Sequence, residues 1–318
     1  MQYLSLAEKQ GSPVPLMVGH RLKGMALLHT GEIAGGRAHL DRAIALYDPA
    51  THRPLAPRFG QDIRVAALAY RSWALWLLGY PVASLEDAAE ALKDAREIGH
   101  TASLMYAGNT AAFIDILCGE LAAANALIDE TVALANEKGI LFLSLFALAY
   151  QGMALAAEGD AANAVQKIAS SIPAYRAMGS NLNMPLRLMF LARAHADLGH
   201  LDDAWRCIGE AMTMMETTKE IWMKAEVNRI AGEIALKSPQ PDTAKAEAYF
   251  DRALAVSRRQ QAKSWELRAA MSMARLWRDQ GKRKEARELL APVYGWFTEG
   301  FDTRDLKEAK ALLEELAE

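Results

Sequence analysis

Gly79, Gly119, Gly159 and Gly199 stand forty residues apart. A fixed period of this size is the mark of a repeat array, and it constrains the fold more than any single motif. Other positions keep the same beat. Seven residues before each turn the side chain is small: Gly24, Ser72, Ala112, Gly152, Ala192, Gly232 and Ala274. Five residues past it the side chain is again small: Gly36, Ser84, Ala124, Ala164, Ala204, Ala246 and Ala286. Nine past come Leu40, Ala88, Ile128, Ile168, Ile208, Phe250 and Leu290. Twelve past come Ala43, Ala91, Thr131, Ser171, Ala211, Ala253 and Val293. One unit replaces the turn glycine with Ser238-Pro239-Gln240-Pro241 and is two residues longer.

Offsets of five, nine and twelve share one face of a 3.6-residue helix. Small residues facing each other across a hairpin let two helix axes approach closely. Gly99, Gly139 and Gly179 stand twenty residues beyond a turn position and Gly11 stands twenty before Gly31, where a glycine ends a helix. Each unit is therefore helix A, turn, helix B, turn. This pattern resembles the tetratricopeptide (TPR) repeat, whose standard unit is about 34 residues. The units here are longer and lack the usual proline after helix B.

The expectation is an all-α chain, an α-solenoid of TPR-like helix–turn–helix repeats forming a single domain over 1–318. Its repeats are expected at 12–48, 62–99, 101–139, 140–179, 181–219, 221–261 and 263–299. Residues 1–11 read as the end of an incomplete repeat, which implies an uncovered apolar edge able to self-associate. Residues 302–318 read as a capping helix with Asp302 as N-cap. Residues 48–61, with Pro49, Pro54 and Pro57, read as the one long loop.

Composition narrows the function classes. With 36 Lys and Arg against 39 Asp and Glu the net charge is −3, which argues against nucleic acid as a partner. Two cysteines, Cys118 and Cys207, lie in different units without a CxxC pair. That favours a reducing, cytoplasmic setting over disulfides or a zinc site. The start Met1-Gln2-Tyr3-Leu4 does not read as a secretion signal. Residues 139–157 carry no charge, a length that would span a bilayer, but they keep the repeat register and read as a buried helix A. No phosphate loop, HExxH, GxSxG or calcium loop is present. His20, His29, His39, His52, His100, His195 and His200 form no metal-ligand spacing with Cys or a carboxylate. No cofactor, metal or catalytic residue is read from the chain.

A second resemblance is more specific. Residues 59–62, 73–81, 267–281 and above all 290–303 (Leu290-Ala291-Pro292-Val293-Tyr294-Gly295-Trp296-Phe297 onward) resemble the C-terminal TPR region of bacterial signalling proteins. Those proteins join an adenylate/guanylate cyclase or a DNA-binding domain to an ATPase. The resemblance implies a non-catalytic, partner-binding or regulatory tail; alternatively, a small-ligand sensor module of an ATPase-linked transcription regulator. TPR arrays resemble one another in lining a concave groove with helix A residues at thirteen, ten, six, three and two before each turn. On that mapping the partner, a protein or peptide segment, would meet Trp73, Trp76, Tyr106, Asn109, Phe113, Met153 and Met189, with Arg193, Arg229 and Arg275 as charged anchors. The same positions also suit core packing. From Arg252 to Arg287 there are eleven Lys or Arg and three Asp or Glu, which reads either as solvated helix B faces or as a dock for an acidic partner.

Overall fold

The computed structural model describes residues 2–317, apart from the side chains of 2 and 141–143; the expected outer bounds 1 and 318 lie outside them. Among the described residues the chain is helical with no strand. In order come α1 (Gln2–Gln10), α2 (Pro13–His29), α3 (Ile33–Ala45), α4 (Pro49–His52), a 3-10 turn (Arg53–Leu55), α5 (Ala56–Phe59), α6 (Ile63–Leu77), α7 (Pro81–Ile98), α8 (Thr101–Cys118) and α9 (Leu121–Lys138). There follow α10 (Leu141–Glu158), α11 (Ala161–Ala177), α12 (Met184–Asp197), α13 (Leu201–Thr218), α14 (Lys224–Leu236), α15 (Thr243–Gln260), α16 (Lys263–Asp279), α17 (Arg283–Tyr294) and α18 (Arg304–Glu315). Two compact units result: residues 1–76 with 81–150, and residues 77–80 with 151–318. None of the helices among the described residues is long and apolar enough to cross a membrane.

Every small or apolar position of the forty-residue ruler is buried. The reason is the close approach of A and B within each hairpin. A Cβ on Gly24 would lie 2.9 Å from the Gly36 carbonyl oxygen and 2.7 Å from Leu40 Cγ. In the next hairpin the Ser84 hydroxyl donates to the Ser72 carbonyl at 2.6 Å. A Cβ on Gly152 would lie 2.5 Å from Ile168 Cγ1, and one on Gly232 2.4 Å from Phe250 Cε1. The repeated small residues are thus the contact surface on which the paired helix closes.

The end of helix B shows the ruler's backbone meaning. Gly99, Gly139 and Gly179 have positive φ, and so do Lys219 and Gln261, which stand at the same offset without being glycine. The chain takes the left-handed turn there because the repeat geometry requires it, at a cost of roughly 1 kcal/mol for a side-chain-bearing residue.

Two stretches differ from the sequence expectation. Residues 48–61 are not an open loop but three short helical turns. Pro49, Pro54 and Pro57 each sit at the start of a turn, where a missing N–H costs nothing. The Tyr47 hydroxyl donates to Asp62 at 2.5 Å and ties the two ends together. In α18 the N-cap position is Thr303 rather than Asp302, and its side chain caps no amide. At the other end, Leu4 of α1 packs on Gly19, while Tyr3 and Leu6 are exposed.

Candidate functional site

In the second unit, four helices that follow one another as the A members and the final helix turn long polar side chains into one cavity of about 290 Å³. It is lined by Arg193 of α12, Arg229 and Glu233 of α14, Arg268, Met271 and Arg275 of α16, and Arg304, Asp305 and Glu308 of α18, with Ala157 at the side. Every lining residue outside α18 stands at one of the helix A offsets assigned to a groove. Long side chains are placed there because the small positions of the same helices face their B partners. The opposite faces are left for arginine and glutamate.

The arginines are not equivalent. Arg229 is buried, and its Nε and Nη2 donate to the two oxygens of buried Glu226 at 2.7 and 2.6 Å. Its Nη1 also reaches Glu233 and, at 3.3 Å, the Ser272 hydroxyl. Ser272 in turn donates to Glu233 at 2.9 Å. Arg268 donates to Asp305 at 2.6 Å, approaches Glu226 at 3.5 Å and lies 5.1 Å over the Trp265 ring. Burial pushes these guanidiniums down and the Glu226 carboxyl up. In each case the opposite charge prevails: Arg229 and Arg268 are held above their ordinary range, and Glu226 below its own. Arg275 donates once to Glu308, at 2.9 Å, with both side chains partly exposed.

Arg193 and Arg304 are held more loosely. Arg193 comes no nearer than 3.9 Å to Asp197, and Arg304 no nearer than 3.9 Å to Asp305. Burial pushes the Arg304 guanidinium below its ordinary range, and Arg268 and Arg193 push it further. A charge disfavoured in this way gains from any anion that reaches it.

The groove residues expected from the sequence fall into distinct environments. Arg193, Arg229 and Arg275 come together at this cavity. Met153 and Met189 are buried in the second unit. In the first unit, Trp73, Trp76, Asn109 and Phe113 are buried and Tyr106 is partly so. There the A helices share an aromatic seam. His29 and Tyr70 meet Trp73 at 5.3 and 6.2 Å between ring centroids, and Trp73 meets Phe113 edge-on at 5.9 Å. Phe113 stacks on Tyr150 at 5.3 Å. Tyr106 lies 5.9 Å from Tyr70, and burial pushes its hydroxyl well above the usual tyrosine range.

Three contributors to the cavity escaped the sequence reading: Arg304, Asp305 and Glu308 lie beyond the last repeat, where the period assigns no groove offset. The folding of α12 onto α13 also gathers His195, His200 and Asp203, with one ligand atom of each within 4.8 Å of the others. Asp203 already accepts from Arg206 at 2.6 Å. Cys118 and Cys207 are buried thiols, and burial pushes Cys207 up to about 11.

Fold and cavity together define an all-α helical-repeat protein of TPR-like architecture. No protein-family model and no curated protein matches the chain. Among solved structures it is similar to a Rap protein complexed with competence and sporulation factor, at 13% identity and a TM-score of 0.66, over 98% of this chain and 80% of that one. It is similar to the apo form of RapI at 14% identity and a TM-score of 0.58, over 94% of this chain and 99% of that one. A tetratricopeptide repeat protein from Parabacteroides merdae ATCC 43184 is similar at 14% identity and a TM-score of 0.51, over 95% of this chain and 99% of that one.

Proposed function

We propose that this protein is a non-catalytic scaffold that binds a segment of another protein on the helix A face of its second unit. The observation that carries the reading is the cavity of about 290 Å³ walled by polar side chains from α12, α14, α16 and α18. Arginine is among the usual anchors of protein interfaces, and its planar fork suits carboxylates. A fold of this kind has been solved with a partner in place, since one similar structure is a Rap protein complexed with competence and sporulation factor. The run from Leu290 to Thr303 supports a finer version, in which the chain is the regulatory tail of a cyclase/ATPase-type signalling protein in the cytoplasm. The small-ligand alternative fits less well. Such sites are mostly apolar with a few polar groups, whereas Met271 and Ala157 are the only apolar side chains lining this cavity.

A photo-reactive amino acid placed at Arg275, on the cavity rim, tests the reading against the same group at Lys284 of α17, which is 85% exposed. The expected result in cell extract is a cross-linked polypeptide from position 275 and none from 284. Identical products from both positions, or none from 275, would refute it.

A further inference from the structure

We propose that the cavity of the second unit is an oxyanion site that takes the carboxylates of an acidic protein segment, held by Arg193, Arg275 and Arg304. The inference rests on the scaffold reading and specifies its chemistry. Five guanidiniums line the cavity against three carboxylates. Two of the five, Arg229 and Arg268, are committed to Glu226, Glu233 and Asp305 and form a fixed wall whose charges are already paired. Among the described residues Arg193 and Arg304 have no carboxylate closer than 3.9 Å, and Arg275 has a single carboxylate partner on a partly exposed side chain. These three can turn to a ligand without leaving a buried charge behind. At the start of α18, Thr303 donates its hydroxyl to the Gly300 carbonyl at 2.6 Å and does not cap the helix, and the acidic group facing the positive end of the dipole is Asp305 in the first turn.

The structure also indicates what kind of anion fits. Along one face of α16, Arg268, Arg275 and Arg278 each hold a carboxylate of α18: Asp305, Glu308 and Glu315, at 2.6, 2.9 and 2.7 Å. The helix is already reading an acidic segment on one side. Arg193 of α12 looks into the cavity from elsewhere with no such counterpart. A second run of carboxylates, supplied by a partner, completes the pattern. Residues 252–287, with eleven basic residues against three acidic ones, extend the positive field beyond the cavity.

Fluorescence anisotropy of the full chain with a labelled peptide of alternating Glu and Ala tests this. The Lys and Gln versions of the peptide, inorganic phosphate and a thymidine oligonucleotide serve as competing probes. The Glu peptide is expected to bind alone among the peptides, and more weakly as salt rises. Arg193→Gln with Arg304→Gln should weaken it about tenfold or more, since each removes a charge-assisted bond. Arg206→Gln, on a side chain 73% exposed on α13, should leave it unchanged. The double variant must keep the wild-type melting curve, and Arg275→Gln alone provides a second, milder loss. An unchanged affinity in the folded double variant would overturn the site. Binding of the Gln or Lys peptide in place of Glu would overturn the chemistry while leaving a scaffold. Phosphate binding without peptide binding, or an oligonucleotide that outcompetes the peptide, would overturn the acidic segment as ligand.

Discussion

Glu226 is the side chain on which the cavity wall depends, and its removal gives the sharpest test of the charge arrangement. It is 3% exposed and accepts two bonds from Arg229 at 2.6 and 2.7 Å, with Arg268 at 3.5 Å. Truncating one member of a buried ion pair leaves an uncompensated charge and costs about 3–5 kcal/mol. Here Arg229 retains Glu233 and Ser272, and Arg268 retains Asp305. Glu226→Ala should therefore fall at the lower end, about 3 kcal/mol. Glu308→Gln removes a pair that is 40% and 46% exposed and should cost less than about 1 kcal/mol. Urea unfolding followed by far-UV circular dichroism at pH 7 measures both. The Glu226 carboxyl is held below its ordinary 4.5. Its contribution is therefore present above that value and is lost as pH falls through the depressed one, so wild type and variant should converge in acid. A loss below about 1 kcal/mol for Glu226→Ala, or one equal to that of Glu308→Gln, would refute a buried, structural role for the carboxylate.

Other expectations follow from single residues. Trp76 is 2% exposed, so Trp76→Ala should cost about 3–5 kcal/mol in stability, read by thermal melting; an unchanged melting temperature would return Trp76 to the surface. Lys219→Gly and Gln261→Gly remove side chains from left-handed backbone and should each stabilise by up to about 1 kcal/mol, with a loss of stability counting against the C-cap geometry. Burial, with Glu120 nearby, pushes the Asp115 carboxyl up to about 6 from 3.8. The protonated form is favoured in the fold, so its stabilising effect is complete below about pH 4 and lost as pH rises through 6. Asp115→Asn should accordingly add about 1 kcal/mol at pH 7.5, discounted for partial exposure, and little below pH 4.

The repeat pattern made the helix hairpins legible because helix contact demands small residues at fixed offsets. Gly24 against Gly36 and Ser72 against Ser84 are the same contact in two units. It also marked the left-handed positions that carry glycine, Gly99, Gly139 and Gly179, but not Lys219 and Gln261, where the residue type gives no signal and only the backbone shows the turn. In the stretch 48–61 three prolines suggest a loop. Each proline instead starts a helical turn, an arrangement that depends on closure by Tyr47 and Asp62. On the A helices, periodicity identifies the face but not what covers it. Trp73 and Phe113 occupy the same offset as Arg193 and Arg275, yet the first pair packs edge to face while the second lines a cavity. The contribution of α18 was not legible at all, because it lies outside the period and meets α16 only through the tertiary fold. The same holds for the meeting of His195, His200 and Asp203 across a helix turn.

Hydrogen exchange of the full chain, with and without the Glu-Ala peptide at saturation, tests the central claim most directly. Slower exchange in α12, α14, α16 and the first turns of α18, with α13, α15 and α17 unchanged, is the predicted result. Protection confined to α13, α15 and α17, or absent from the second unit, would contradict a binding face built from its A helices.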